Sequence, residues 1–218
     1  MDNVPSILSA TPAVSRKWYE IWQDVWLHPG VATFRSMLTD PSAGSSRGFT
    51  WVAVTELIVG VLGALLSLAF FGSNASGGII GLLFCGIIAA PLISVVGLAI
   101  SAGIYHGTAR LFKGTGTWSQ LVFCFAAVQA PYLIIGTLYN DLRMLLLSSQ
   151  ALLLCSGLIG LVLVIYSFVL YVCAIDGVEN FGTGKAVLTA VLPTVVILAL
   201  VFCAFGSLLV GLLSSYTR

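Results

Sequence analysis

Five long apolar blocks run through this chain, over about residues 50–71, 77–105, 119–139, 150–174 and 186–213. Each reaches the roughly 20 residues that carry an α-helix across about 30 Å of hydrocarbon. A backbone inside a bilayer finds no water to bond, and a helix satisfies its N–H and C=O groups within one segment. The expected fold is therefore all-α: a polytopic membrane bundle of five transmembrane helices over 50–218, preceded by a segment over 1–49. Composition excludes the soluble alternative. Charged residues make up only 8% of the 218, and hydrophobic ones 59%, where soluble domains are about a quarter charged. Eight of the 17 charges precede residue 50, and the net charge of +1 excludes nucleic acid as a partner held by phosphate electrostatics. The lipid bilayer is the partner that composition requires.

The first 49 residues are mixed and polar, with no secretory leader pattern. In Val14–Leu27, residues Trp18, Ile21, Trp22, Val25 and Trp26 recur at helical spacing, with Arg16, Lys17, Glu20, Gln23 and Asp24 on the other side. An indole ring is apolar with one polar N–H, which suits the membrane–water boundary. The spacing predicts an amphipathic interfacial helix anchored by Trp18, Trp22 and Trp26. Pro29-Gly30 ends it. Residues 31–38 suggest a second short amphipathic helix edged by Phe34, Met37 and Leu38, and Pro41 to Ser46 a flexible connector.

Block two is too long for an upright crossing, since 29 residues would extend about 43 Å as a helix. Pro91 is its expected bend, with further kinks at Pro131 and Pro193. Lysine and arginine set the orientation. Arg16, Lys17, Arg35, Arg47, Arg110, Lys113 and Lys185 fall on one side, Arg143 and Arg218 on the other. The excess predicts a cytosolic N-terminus, an external C-terminus and a tight outer turn at 72–76. Small-residue pairs such as Gly77/Gly81, Gly103/Gly107 and Ser207/Gly211 suggest close helix packing. Cys85, Cys124, Cys155, Cys173 and Cys203 lie apart inside apolar blocks without CxxC spacing, so they read as free apolar residues.

Polar groups within the blocks are few. Glu56 lies about two turns into span one, and Gln129 near mid-depth in span three. His106 and Arg110 close span two, Asp176 and Glu179 close span four, and Lys185 follows. Glu56, His106, Arg110, Asp176, Glu179 and Lys185 thus form a candidate polar cluster on the cytosolic side, with Glu56 expected to pair with Arg110 or His106. HExxH and GxSG are absent, and Gly182-Thr183-Gly184-Lys185 lacks the earlier glycine and strand of a phosphate loop. No cofactor, metal or catalytic residue is assigned. A cation site or intramembrane enzyme using His106, Asp176 and Glu179 stays open as an alternative. So does a transporter or accessory subunit using Gln129, although five spans do not divide into equal repeats.

The order of features carries a resemblance. A tryptophan-rich helix leads into His28-Pro29-Gly30-Val31-Ala32-Thr33-Phe34. Span two ends in His106-Gly107-Thr108-Ala109-Arg110-Leu111-Phe112-Lys113-Gly114-Thr115-Gly116-Thr117-Trp118. Ala130-Pro131 lies in span three, Ile175 and Val178 near the end of span four, and Gly184-Lys185-Ala186 opens span five. From about residue 18 onward the chain resembles the Yip family, the Ypt/Rab-interacting membrane proteins, and within it the short prokaryotic branch. The resemblance implies a cytosolic N-terminus, five spans and a non-enzymatic adaptor or scaffold in the cytoplasmic membrane that organises other membrane proteins. The eukaryotic branch carries a longer N-terminal region and an Asp-Leu-Tyr-Gly-Pro stretch. Neither is found here, which leaves GTPase binding doubtful.

Overall fold

The computed structural model describes residues 15–71, 84–145, 150–196 and 199. Its elements are α1 (Trp18–Leu27), α2 (Val31–Met37), α3 (Ser45–Phe71), a π-helical turn (Phe84–Ala89) running into α4 (Ala90–Leu111), α5 (Trp118–Leu145), α6 (Gln150–Glu179) and α7 (Thr183–Val196). Every one of these is helical. α3, α4, α5 and α6 are each long and apolar enough to cross a bilayer. The sequence suggested five crossings; four are present among the described residues. Block five is described only as far as α7, which is shorter than a span. The turn at 72–76, the pairs Gly77/Gly81 and Ser207/Gly211, and Cys85 and Cys203 as side chains lie outside what is described.

Helix ends show how the sequence punctuates the fold. Lys17 N–H donates to Glu20 Oε2 at 3.0 Å, satisfying a donor at the start of α1. Thr117-Trp118-Ser119-Gln120 opens α5 as a capping box: Thr117 N–H donates to Gln120 Oε1 at 3.0 Å, and Gln120 N–H to Thr117 Oγ1 at 3.3 Å. α4 ends in a Schellman turn. Gly114 N–H returns to Ala109 O and Lys113 N–H to Arg110 O, with Lys113 in the left-handed region at φ 66°. The ladder of block two widens to π geometry immediately before Pro91, which cannot donate to it. α5, by contrast, runs unbroken through Pro131.

The bundle is built around α5. All eight residues from Leu121 to Val128 are buried, because α5 meets α3, α4, α6 and α1. The outer faces are apolar instead, as at Leu92, Ile93, Leu154 and Leu158, which is how a surface facing lipid differs from one facing water. Lipid tails are as apolar as leucine, so close packing and internal hydrogen bonds hold such helices together. α3 packs closely on α5. A Cβ on Gly48 would stand 3.1 Å from Ala126 Cβ, 3.2 Å from Val122 O and 3.3 Å from Phe123 Cα. Nearby, Ser45 N–H donates to Ser119 Oγ at 2.9 Å. Of the small residues that the sequence pattern singled out, a Cβ on Gly103 would stand 3.9 Å from the Trp118 indole nitrogen, while Gly107 faces open space, as do Gly63 and Gly97. Glycine spacing does not say which helix face meets a neighbour.

α1 and α2 are seated on the bundle. Ile21 and Val25 are the buried residues of α1, and Phe34 and Met37 those of α2. Phe34 presses on Gly177 of α6, where a Cβ would fall 2.7 Å from Phe34 Cβ. Replacing Gly48 with Val should force α3 and α5 apart and lower stability by about 1–3 kcal/mol, the range for overpacking. The same change at Gly63, which faces open space, should be close to neutral. Melting temperatures of detergent-purified variants check both; equal losses at the two sites would refute the Gly48 contact.

Candidate functional site

The starts of α3 and α5 and the ends of α4 and α6 meet at one end of the bundle, where the loop 112–117 between α4 and α5 lies against the end of α6. Glu179 is its centre. It is fully buried, its Oε2 accepts from Gly116 N–H at 2.9 Å, and its Oε1 lies 3.0 Å from His106 Nδ1. Its backbone oxygen also accepts from Thr115 N–H at 3.2 Å. The approach demands glycine. A Cβ on Gly114 would overlap the Glu179 carboxylate, and one on Gly116 would stand 2.6 Å from Val178 O.

Arg110 completes the knot from the other side. Its Nη1 donates to Gly114 O at 3.1 Å, its Nη2 to Gly116 O at 2.8 Å, and its Nε to His106 Nε2 at 3.3 Å. A guanidinium has only donors. His106 Nε2 therefore accepts, and Nδ1 carries the proton that it donates to Glu179. The bonds form a relay from Arg110 through a neutral His106 to Glu179, and they fix both the tautomer and the loop.

The six residues of the expected polar cluster separate into distinct groups. His106, Arg110 and Glu179 converge. Asp176 staples the next loop: Oδ1 accepts from Gly182 N–H at 3.0 Å and Oδ2 from Thr183 Oγ1 at 2.9 Å. That turn bends through Asn180 at φ 56° and Gly182 at φ 91° and opens α7. Lys185 is exposed on α7 and forms no ion pair with a described residue. Glu56 does not pair with Arg110 or His106. It accepts from the Ser94 hydroxyl of α4, while Arg110 is committed to loop carbonyls. A serine hydroxyl satisfies one oxygen without bringing a second charge into the span. No group of three His, Cys, Asp or Glu suited to a metal occurs among the described residues.

The tryptophans divide as well. Trp18 is half exposed, with its ring 4.7 Å from that of Trp22. Trp22 stacks edge-on to Trp51 of α3 at 6.0 Å. Trp26 lies 5.5 Å from the Tyr166 ring and donates from Nε1 to Val128 O at 3.3 Å. Val128 is about 15 Å along α5 from Trp118 at 1.5 Å per residue, so Trp26 is engaged by protein well inside the span. Gln129 borders a cavity of about 240 Å³ shared with Leu98, Ser101, Tyr105, Phe125 and Tyr171.

A second knot has no counterpart in the sequence reading. Asp40 Oδ2 accepts from Arg16 N–H at 2.9 Å and Arg47 Nη1 at 3.1 Å, and Oδ1 from Ser42 N–H at 2.8 Å and Ser42 Oγ at 2.6 Å. Arg47 also donates to Arg16 O and lies over the rings of Trp51 at 4.9 Å and Phe123 at 5.8 Å. The segment ahead of α1 is thus clamped to the start of α3. The connector at 41–46 is ordered by the Asp40-Pro41-Ser42 turn, a local signal that the composition obscured.

These helices define a multi-pass α-helical membrane protein. The Yip1 domain family model matches residues 24–205, and the chain belongs to that family. The search of curated proteins returns no match, and neither does the search of solved structures.

Two predictions follow the two knots. Glu179→Leu should cost about 3 kcal/mol, because Gly116 N–H and His106 Nδ1–H lose their acceptor in a buried site. Glu179→Gln should lose less; a melting temperature unchanged in the Leu variant would refute the knot. At Asp40, burial raises the carboxyl pKa, but bonds from Ser42, Arg16 and Arg47 outweigh it and hold it at about 2, below its ordinary 3.8. A depressed pKa stabilises the fold above pH 3.8, and that contribution fades as pH falls from there toward 2. The stability gap between the native protein and Asp40→Asn should be flat above pH 5 and narrow below 3.8, read by tryptophan fluorescence. A gap that widens on acidification would contradict this.

Proposed function

We propose that this Yip1-domain protein is a non-enzymatic membrane adaptor or scaffold whose end bearing α1 and α2 is a rigid platform for other membrane proteins. The observation that carries the reading is the use made of the polar side chains. Glu179, His106, Arg110, Asp176 and Asp40 each bond to backbone or to one another and hold loops in place. A catalytic group needs a face free for substrate, and these side chains spend theirs on architecture. The platform presents Arg35, Lys113 and Lys185, all exposed and none in an ion pair with a described residue. Lys113 sits exposed in the left-handed turn that ends α4. These cations suit acidic segments of partner proteins.

The charge count supports placing this platform in the cytosol, with the N-terminus inside and, given a fifth crossing, the C-terminus external. The short prokaryotic pattern of the sequence supports the cytoplasmic membrane as its location. The adaptor role does not depend on GTPase binding. The second reading, a transporter or accessory subunit, has the cavity beside Gln129 in its favour.

The test replaces Arg35, Lys113 and Lys185 together with Gln, which removes charge without adding acid. Membrane proteins that co-purify with the native chain should fall several-fold with the triple variant, at an unchanged melting temperature. A fused N-terminal reporter should read cytosolic in both. Full retention of the partners at high salt by the triple variant would refute the platform.

A further inference from the structure

The cavity beside Gln129 is placed where a polar lining is costly. Leu98, Ser101 and Tyr105 come from one face of α4, Phe125 and Gln129 from α5, and Tyr171 from α6. Gln129 is eleven residues into α5, about 17 Å along its axis, near the middle of a 30 Å hydrocarbon layer. Its carboxamide offers two donors and an acceptor, and each of the three hydroxyls offers one donor and an acceptor. None of these four side chains forms a hydrogen bond with a described residue. Two polar side chains elsewhere in the spans show such bonding: Glu56 accepts from Ser94, and Tyr139 donates to Ser156 O. A cluster of unbonded polar groups around about 240 Å³ of space calls for an occupant that supplies the missing partners.

The lining selects among occupants. It contains no charged side chain among its described residues, so a charged headgroup would enter unpaired at mid-depth, at a cost of several kcal/mol. Phe125 stands edge-on to Tyr105 at 5.4 Å and to Tyr171 at 4.9 Å, giving an aromatic wall beside the polar groups. The seam between α4 and α6 is tied by the His106–Glu179 bond, one residue beyond Tyr105. An uncharged solute already dissolved in the bilayer reaches this depth at far lower cost than a charged one from water, and the lining's hydrogen bonds offset the desolvation of its polar head. We propose that the cavity binds the uncharged head of a neutral membrane lipid carrying hydroxyl and carbonyl groups. The hydroxyl and amide groups of the lining bond the head, and the aromatic wall receives the adjoining chain. This site stands independently of the adaptor reading.

The probe is a 1,2-diacylglycerol with a photoactivatable diazirine close to its ester, in vesicles of phosphatidylcholine holding the full-length protein. A phosphatidylcholine with the same diazirine acyl chain is the control. Cross-links are mapped by peptide mass spectrometry. The diacylglycerol probe should label peptides spanning Leu98–Tyr105, Phe125–Gln129 and Tyr171 roughly tenfold more than the control, the ratio expected from one retained hydrogen bond. Excess unlabelled diacylglycerol should abolish that labelling. Gln129→Leu, close in size and without the amide, should reduce it by a similar factor at a retained fold, and Ser101→Phe should block the space. Competition in the native protein decides the question even where a variant fails to fold. Equal labelling by both probes, labelling without competition, or label confined to outer faces such as Leu92 and Ile93 would overturn the proposal and leave a cavity filled by water.

Discussion

One buried carboxylate fixes the relation of α4, α5 and α6. Glu179 has no exposure, and a carboxylate in that setting must be fully bonded or the helix end that carries it cannot dock. Its two oxygens take Gly116 N–H and His106 Nδ1–H. Those bonds fix the loop out of α4, and the loop in turn sets where α5 begins. Arg110 holds the same loop from its carbonyl side. Two glycines are needed because the carboxylate and the Val178 backbone occupy the space a side chain would take.

Around this constraint the bundle follows the physics of its solvent. The first half of α5 is buried because α1, α3, α4 and α6 pack on it, and its Ala126, Ala127 and Ala130 permit that closeness. The outer helices give their large aliphatic side chains to lipid. α1 and α2 bring Trp22, Trp26 and Phe34 onto α3, α5 and α6, so the N-terminal segment belongs to the same packed body as the spans.

Much of this was legible in the sequence, and the reasons differ by residue. Blocks of more than 20 apolar residues declare spans, since backbone bonding in lipid leaves no other solution. The periodicity of Trp18 to Trp26 declared a helix. Partners were harder to read. Glu56 was expected to find a cation, yet Ser94 lies closer, because pairing depends on helix rotation, which neither hydropathy nor charge counts encode. His106, Arg110 and Glu179 were singled out for being polar at span ends, but their roles as loop fasteners emerged only with the loop's path. Asp40 escaped notice because its partners, Arg16, Ser42 and Arg47, are ordinary surface residues until the chain folds back. The cavity beside Gln129 shows the same limit: one amide was visible in the sequence, while the three hydroxyls around it come from two other helices, α4 and α6.

The bond between Gly116 and Glu179 joins residues 63 apart in the chain, with two whole membrane crossings, α5 and α6, between them. A ribosome delivers α4 and α5 to the bilayer long before it delivers Glu179. The hairpin of α4 and α5 therefore enters the membrane with the Gly116 amide still answered by water, and the loop acquires its final shape only when the end of α6 returns to the same side. Insertion of the spans and fastening of the bundle are thus separate events in the life of the chain, and the second waits on the last residue of the fourth crossing.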